Sequence, residues 1–203
     1  MSTERYGMMR EVEYDFLDEI TLKLKVDFGK IQFLEIGVCG AGTTRGMYRR
    51  AVEIGCPIKA AGVDLEMYRP NPTPSPDYRF HAGDSMDAWR NITSQFNLLL
   101  VDGCHCVNHS MCDFLNYSPF VVVGGLVLFH DTALPTALGK TNQEAWPQDH
   151  SYAGQPPSSL GVREGLQKLG LLQGHRADWK LIREIPSDTG LMGMALFQKI
   201  KAL

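Results

Sequence analysis

Apolar residues fall into two patterns along this chain. One has helical spacing: Val12, Phe16, Leu17, Ile20 and Leu24 recur with Glu13, Asp15, Asp18 and Glu19 between them, which predicts an amphipathic helix over 11–26. The other is the short continuous run, seen at 31–38, 58–63, 96–101 and 121–129. Runs of that length, bounded by turn residues, read as strands buried on both faces. Between them, 43–54, 85–92, 108–117 and 160–169 read as helices, the second with Asp84 or Ser85 at its N-cap, and 78–81 reads as a short strand. The last two runs, 179–185 and 192–200, flank turn residues at 186–190 and predict an antiparallel hairpin.

Strands alternating with helices predict an α/β fold, a mostly parallel sheet with helices on both faces. In such a sheet ligands bind at the carboxyl ends of the strands. Three runs end there in polar chemistry: Asp64, Asp102 and the pair His130-Asp131. Two segments resist any period. Prolines at alternate positions through 69–76 predict a stiff exposed loop. Residues 132–158, rich in Pro, Gly, Thr and Gln, predict a functional loop or lid.

Composition narrows the class. Lys and Arg number 20 against 23 Asp and Glu, a net charge of −3, so no basic field draws nucleic acid. An apolar fraction of 44% argues against disorder. The longest apolar run, 120–129, contains glycines and falls short of the roughly 20 residues that a bilayer requires. The polar first residues lack the apolar stretch of a signal peptide, and five cysteines is an odd number, so reduced thiols in the cytoplasm are expected.

The sequence from Glu35 to Thr44, with Gly37, Gly40 and Gly42, sits between a predicted strand and helix. Glycines there let a cofactor approach the backbone and free amides at a helix start. Their order is not the G-x-G-x-x-G of a pyrophosphate turn, which counts against a nicotinamide-dependent oxidoreductase. Asp64, closing the next strand, stands where a carboxylate can accept both hydroxyls of a ribose. A plain strand-to-helix turn with a solvated aspartate is the bland alternative.

Four segments in order carry a resemblance. Glu35-x-Gly37-Val38-x-x-x-Gly42-Thr43-Thr44 resembles motif I of class I S-adenosylmethionine-dependent methyltransferases. Gly83-Asp84-Ser85, Asp102-Gly103-Cys104-His105 and the run Gly124-Gly125 to His130-Asp131 resemble later segments of one branch. That branch comprises metal-dependent small-molecule and sugar O-methyltransferases, including the macrocin, rhamnosyl and cephalosporin-type enzymes. The match spans about half the chain. It implies a Rossmann-like methyltransferase fold, with a seven-stranded, mostly parallel sheet and an antiparallel last strand. It also implies a single domain over 1–203, with 1–30 a helical cap and 132–158 the acceptor-site loop.

The same resemblance implies roles. Glu35, Gly37, Val38, Gly42, Thr43, Asp64, Leu65, Asp84, Ser85 and Asp102 would shape the S-adenosylmethionine site. Asp102 and Asp131, with His130, would hold a divalent cation, Mg²⁺ or Mn²⁺. His130 stands where several relatives carry an acid, and imidazole suits Mn²⁺ better than Mg²⁺. His105 would be the catalytic base beside Asp102, because an alcohol attacks a sulfonium methyl only once its proton has a destination. The expected acceptor is a small molecule or glycan, with no nucleic acid or membrane partner; self-association is left open. A methyltransferase-like module without catalysis is the other rival.

Cys104, His105, Cys106, His109 and Cys112 also invite a zinc reading. Structural zinc sites pair two distant ligand pairs, whereas these fall in one short segment, so ordinary thiols near a helix start are expected, with Cys112 in the core. Trp89 and Trp179 are expected in the core, and Trp146, His150 and Tyr152 in the acceptor loop.

Overall fold

The structure is a computed structural model, and it describes residues 9–66, 75–133, 161–186 and 193–202. The proline loop at 69–74, the chain at 134–158 with Trp146, His150 and Tyr152, and the hairpin turn at 187–192 lie outside the described residues.

Seven strands form one sheet: β1 (Ile31–Ile36), β2 (Ile58–Asp64), β3 (Arg79–Ala82), β4 (Phe96–Val101), β5 (Val121–His130), β6 (Trp179–Ile185) and β7 (Met194–Lys199). Their order is β3-β2-β1-β4-β5-β7-β6. The first five are parallel, and β7 runs antiparallel between β5 and β6. This is the Rossmann-like methyltransferase arrangement.

Alternation along each central strand divides the interior into two cores. Phe33, Leu98, Leu100, Leu126 and Leu128 face α1 (Glu11–Phe28) and α2 (Gly42–Glu53). Leu34, Ile36, Leu99, Val101, Val127 and Phe129 face the opposite layer. That layer holds α3 (Ser85–Ala88), α4 (Val107–Tyr117) and α5 (Val162–Lys168). Because each central strand is covered on both faces, its sequence reads as a near-continuous apolar run.

Several expectations shift. The helix expected over 85–92 is one α-turn, capped by Asp84 through a 2.8 Å bond from the Met86 amide, followed by a 3₁₀ turn. The first strand stops at Ile36, and the fifth continues through His130, which pairs with Met194. Val12 points outward, 46% exposed, while Glu13 is fully buried. Apolar spacing alone assigns Glu13 to the wet face; its partners lie elsewhere in the chain. Trp179 is in the core as expected, but Trp89 and Cys112 are only half-buried.

Candidate functional site

The glycine-bearing loop leaves β1 at Gly37, whose φ is +85°. A Cβ there would lie 2.1 Å from the Asp102 carbonyl oxygen, so only glycine fits on both counts. Ala41, also in the left-handed region, starts α2 and donates its amide to the Val38 carbonyl at 2.7 Å. The first amides of α2, from Gly42 and Thr43, lie beside the carboxyl ends of the strands.

Asp64 binds the rim of this loop. Its Oδ2 accepts the Cys39 amide at 2.8 Å and its Oδ1 the Leu65 amide at 2.7 Å. Each oxygen keeps a further lone pair for a ligand hydroxyl. Leu65 is exposed beside it. Two expected cofactor residues sit differently. Val38 turns its side chain into the core, leaving only its backbone at the loop. Glu35 is buried under the loop, accepting the Thr44 hydroxyl, with Thr43 also bonded to it. Burial pushes its pKa up to about 8, and the charges of Asp102 and Asp64 add to the rise. Glu35 therefore fastens the start of α2 from below. Asp84 is held in its capping bond, and the Ser85 carbonyl accepts the Tyr117 hydroxyl at 2.9 Å.

Beyond β4 and β5 lies the second group. His105 Nε2 is 2.7 Å from Asp131 Oδ2. Donor atoms of Asp102, His105 and Asp131 all lie within 4.8 Å of one another. His130 sits deeper, its Nδ1 3.0 Å from Asp102 Oδ1 and 3.3 Å from Asp131 Oδ2. Its Nε2 is 3.5 Å from Glu13 Oε2. Asp102, His130 and Asp131 thus converge as the sequence implied, but the third donor facing a common point with the two aspartates is His105.

The charges balance within the cluster. Burial disfavours a charged His130, but Asp102, Asp131 and Glu13 outweigh it and hold its pKa well above the ordinary value. The three carboxylates thus favour the charged imidazole, with Nδ1 turned to Asp102 and Asp131 and Nε2 to Glu13. Burial would likewise raise Glu13 and Asp131. For Glu13, His130 and Arg10 reverse the sign and bring it to about 2; for Asp131, His105 and His130 hold it below the carboxylate range. Glu13 also accepts the Arg10 amide at 2.8 Å and the Gly193 amide at 3.1 Å, tying α1 to the edge of the site.

Sequence reasoning passed over Glu13. The one available signal was a carboxylate three residues after a potential helix cap. A separate hollow at the amino ends of β1, β2 and β3, lined by Gln32, Lys59, Arg79 and Gln95, contains none of the candidate residues.

Residues 34–132 match the family described as a methyltransferase domain. No curated protein matches the sequence significantly. Solved structures match in fold. The O-methyltransferase TomG from Streptomyces achromogenes, in complex with S-adenosylmethionine, superimposes with a TM-score of 0.64 at 14% identity, over 96% of this chain and 82% of that one. An O-methyltransferase from Bacillus cereus, in complex with S-adenosylhomocysteine, gives 0.63 at 13% identity over 95% and 82%. MycE of the mycinamycin pathway, with Mg, S-adenosylhomocysteine and mycinamycin VI, gives 0.60 at 17% identity; 98% of this chain covers 52% of that one.

Proposed function

We propose that this chain is a class I S-adenosylmethionine-dependent methyltransferase, that its acceptor is a hydroxyl of a sugar or small natural product, and that His105 takes the acceptor's proton; the methyltransferase-domain match over residues 34–132 supports the reading. The observation that carries this reading is the His105–Asp131 pair beside Asp102, one loop away from the cofactor glycines. Asp131 accepts from Nε2 of His105, which leaves Nδ1 as the basic nitrogen. The acceptor oxygen attacks the sulfonium methyl in line, the sulfur–carbon bond breaks, and the hydroxyl proton passes to His105. The leaving group is the neutral thioether S-adenosylhomocysteine. The chain's remaining task is alignment: Asp64 and the loop amides hold the nucleoside end, while Asp102 stands between the two halves.

The donor set also fits a divalent cation. In that case Asp102 and Asp131 would hold it with His105 as the third donor, a mixed oxygen and nitrogen set that suits Mn²⁺ better than Mg²⁺, and His105 would be a ligand instead of the base. Such an ion would lower the acceptor hydroxyl's pKa. The Mg in MycE supports this second reading without deciding the ion here.

The test incubates the chain with S-adenosylmethionine and a panel of sugars, phenols and glycosylated natural products, with and without Mn²⁺, following S-adenosylhomocysteine. Acceptor-dependent turnover that His105→Ala abolishes is expected. Cofactor binding with no turnover across the panel would favour the non-catalytic module. Calorimetric binding of NAD in preference to S-adenosylhomocysteine would sink the reading altogether.

A further inference from the structure

The loop after β4 divides its side chains between two groups. Asp102 and His105 turn toward Asp131, whereas Cys104 and Cys106 meet His109, one turn into α4. Cys106 caps that helix, its sulfur accepting the His109 amide at 3.4 Å and lying 2.8 Å from the ring Nδ1. Donor atoms of Cys104, Cys106 and His109 all fall within 4.8 Å of one another. Cys106 and His109 are buried and Cys104 is half-exposed, so the group opens to solvent on one side. Methyl transfer uses none of the three.

The objection raised by the sequence was that one short segment cannot close a tetrahedron of four ligands. The structure asks for three. A sharp turn brings the two sulfurs of C-x-C to one side, and the helical i, i+3 offset places His109 over Cys106. We propose that Cys104, Cys106 and His109 form a binding site for a borderline-soft transition-metal ion, Zn²⁺ by preference, with three protein ligands and one open position.

Ideal tetrahedral bonds to zinc place sulfur and nitrogen about 3.5 Å apart, so the Cys106–His109 contact opens by about 0.7 Å on binding. Two thiols and an imidazole select Zn²⁺ over Mg²⁺ or Ca²⁺, and so separate this site from the carboxylate group next to it. The ligand form of cysteine is the thiolate, so binding releases the thiol protons and strengthens as pH rises. Asp113, completely buried one turn beyond His109 on the same helix, adds a carboxyl whose field acts on the imidazole.

The metal-free full-length chain is titrated with Co²⁺. One equivalent should produce a near-ultraviolet sulfur-to-cobalt charge-transfer band and visible bands of tetrahedral intensity, both bleached by one equivalent of Zn²⁺. Cys104→Ser and Cys106→Ser should each lose charge-transfer intensity and weaken Zn²⁺ by more than about 100-fold, beyond the cost of changing an outer-shell partner. Serine is itself a good N-cap, so Cys106→Ser keeps α4 started, and circular dichroism checks its fold. Cys39→Ser and Cys112→Ser should leave the spectrum unchanged. A folded wild-type chain without the charge-transfer band overturns the proposal. So does a band that survives both Cys104→Ser and Cys106→Ser.

Discussion

His105 and Asp131 face each other across 2.7 Å from the loops that follow the neighbouring strands β4 and β5. Paired this way, the imidazole is fixed in one tautomer, and in the proposed reaction the imidazolium would have a counter-charge. Replacing His105 by Ala should lower turnover by about 10²–10⁴-fold, the usual worth of a positioned base. Asp131→Asn should lower it too, by misdirecting the ring. Affinity for S-adenosylhomocysteine, read by calorimetry, should stay near wild type in His105→Ala. Turnover that is indifferent to His105 removes it from the chemistry.

Glu35 gives the fold a pH dependence of unusual sign. Its pKa is raised from 4.5 to about 8 by burial, so between those values the folded chain holds a proton that the unfolded chain has released. Stability from this group is therefore full below about pH 4.5 and declines as pH rises toward 8, at up to about 1.4 kcal/mol per pH unit. Glu35→Gln should flatten the urea-unfolding free energy across that window and surpass wild type at its alkaline end. Parallel profiles for the two proteins would show that Glu35 ionises normally.

Two glycines of one loop should respond oppositely to alanine. At Gly37 a methyl group meets the Asp102 backbone at 2.1 Å under a φ of +85°, whereas at Gly40 nothing lies within 4 Å. Gly37→Ala should cost more than about 3 kcal/mol or prevent folding, by strain and overpacking together. Gly40→Ala should melt within a few degrees of wild type, so any loss of cofactor affinity there reports on the ligand's own approach. Equal melting temperatures for the two variants would refute the close packing of β1 against the β4 loop.

Asp64 should contribute to cofactor affinity both directly and through the loop it fastens. Asp64→Ala removes the acceptor for the Cys39 and Leu65 amides and for a ribose. Charge-assisted hydrogen bonds of this kind are worth about 1.5–3 kcal/mol each, so affinity for S-adenosylhomocysteine should fall by about 10- to 100-fold or more. An unchanged dissociation constant would place the nucleoside elsewhere.

The central strands were legible because a parallel strand covered on both faces leaves a near-continuous apolar run, broken in β1, β2 and β4 only by Gln32, Glu35, Lys59 and Asn97 before the strand ends. The positions of Asp64, Asp102 and Asp131 followed, since they end those strands. The burial of Glu13 did not follow. Arg10 is a local partner from its own helix cap, but His130 of β5 and the Gly193 amide lie more than a hundred residues away, and periodicity sees no contact that distant. Glu35 was legible as a motif residue but not as a buried acid beneath the loop, because the pattern fixes its spacing and not the direction of its side chain. The convergence of Cys104, Cys106 and His109 was hidden for a related reason. The sequence shows how near its ligands are along the chain, but not that three of them turn to one side.

Among the described residues, only Cys39, Ala41 and Asp131 are non-glycine residues in the left-handed region. All three stand on one rim of the sheet, where β1 and β5 end. Each such residue stores of the order of 1–3 kcal/mol, together comparable with a sizeable share of a domain's net stability. The rim is thus a loaded spring held shut by the core behind it. A substitution that weakens that core would let the rim relax while the sheet still holds, so the chain would lose its cleft before its fold.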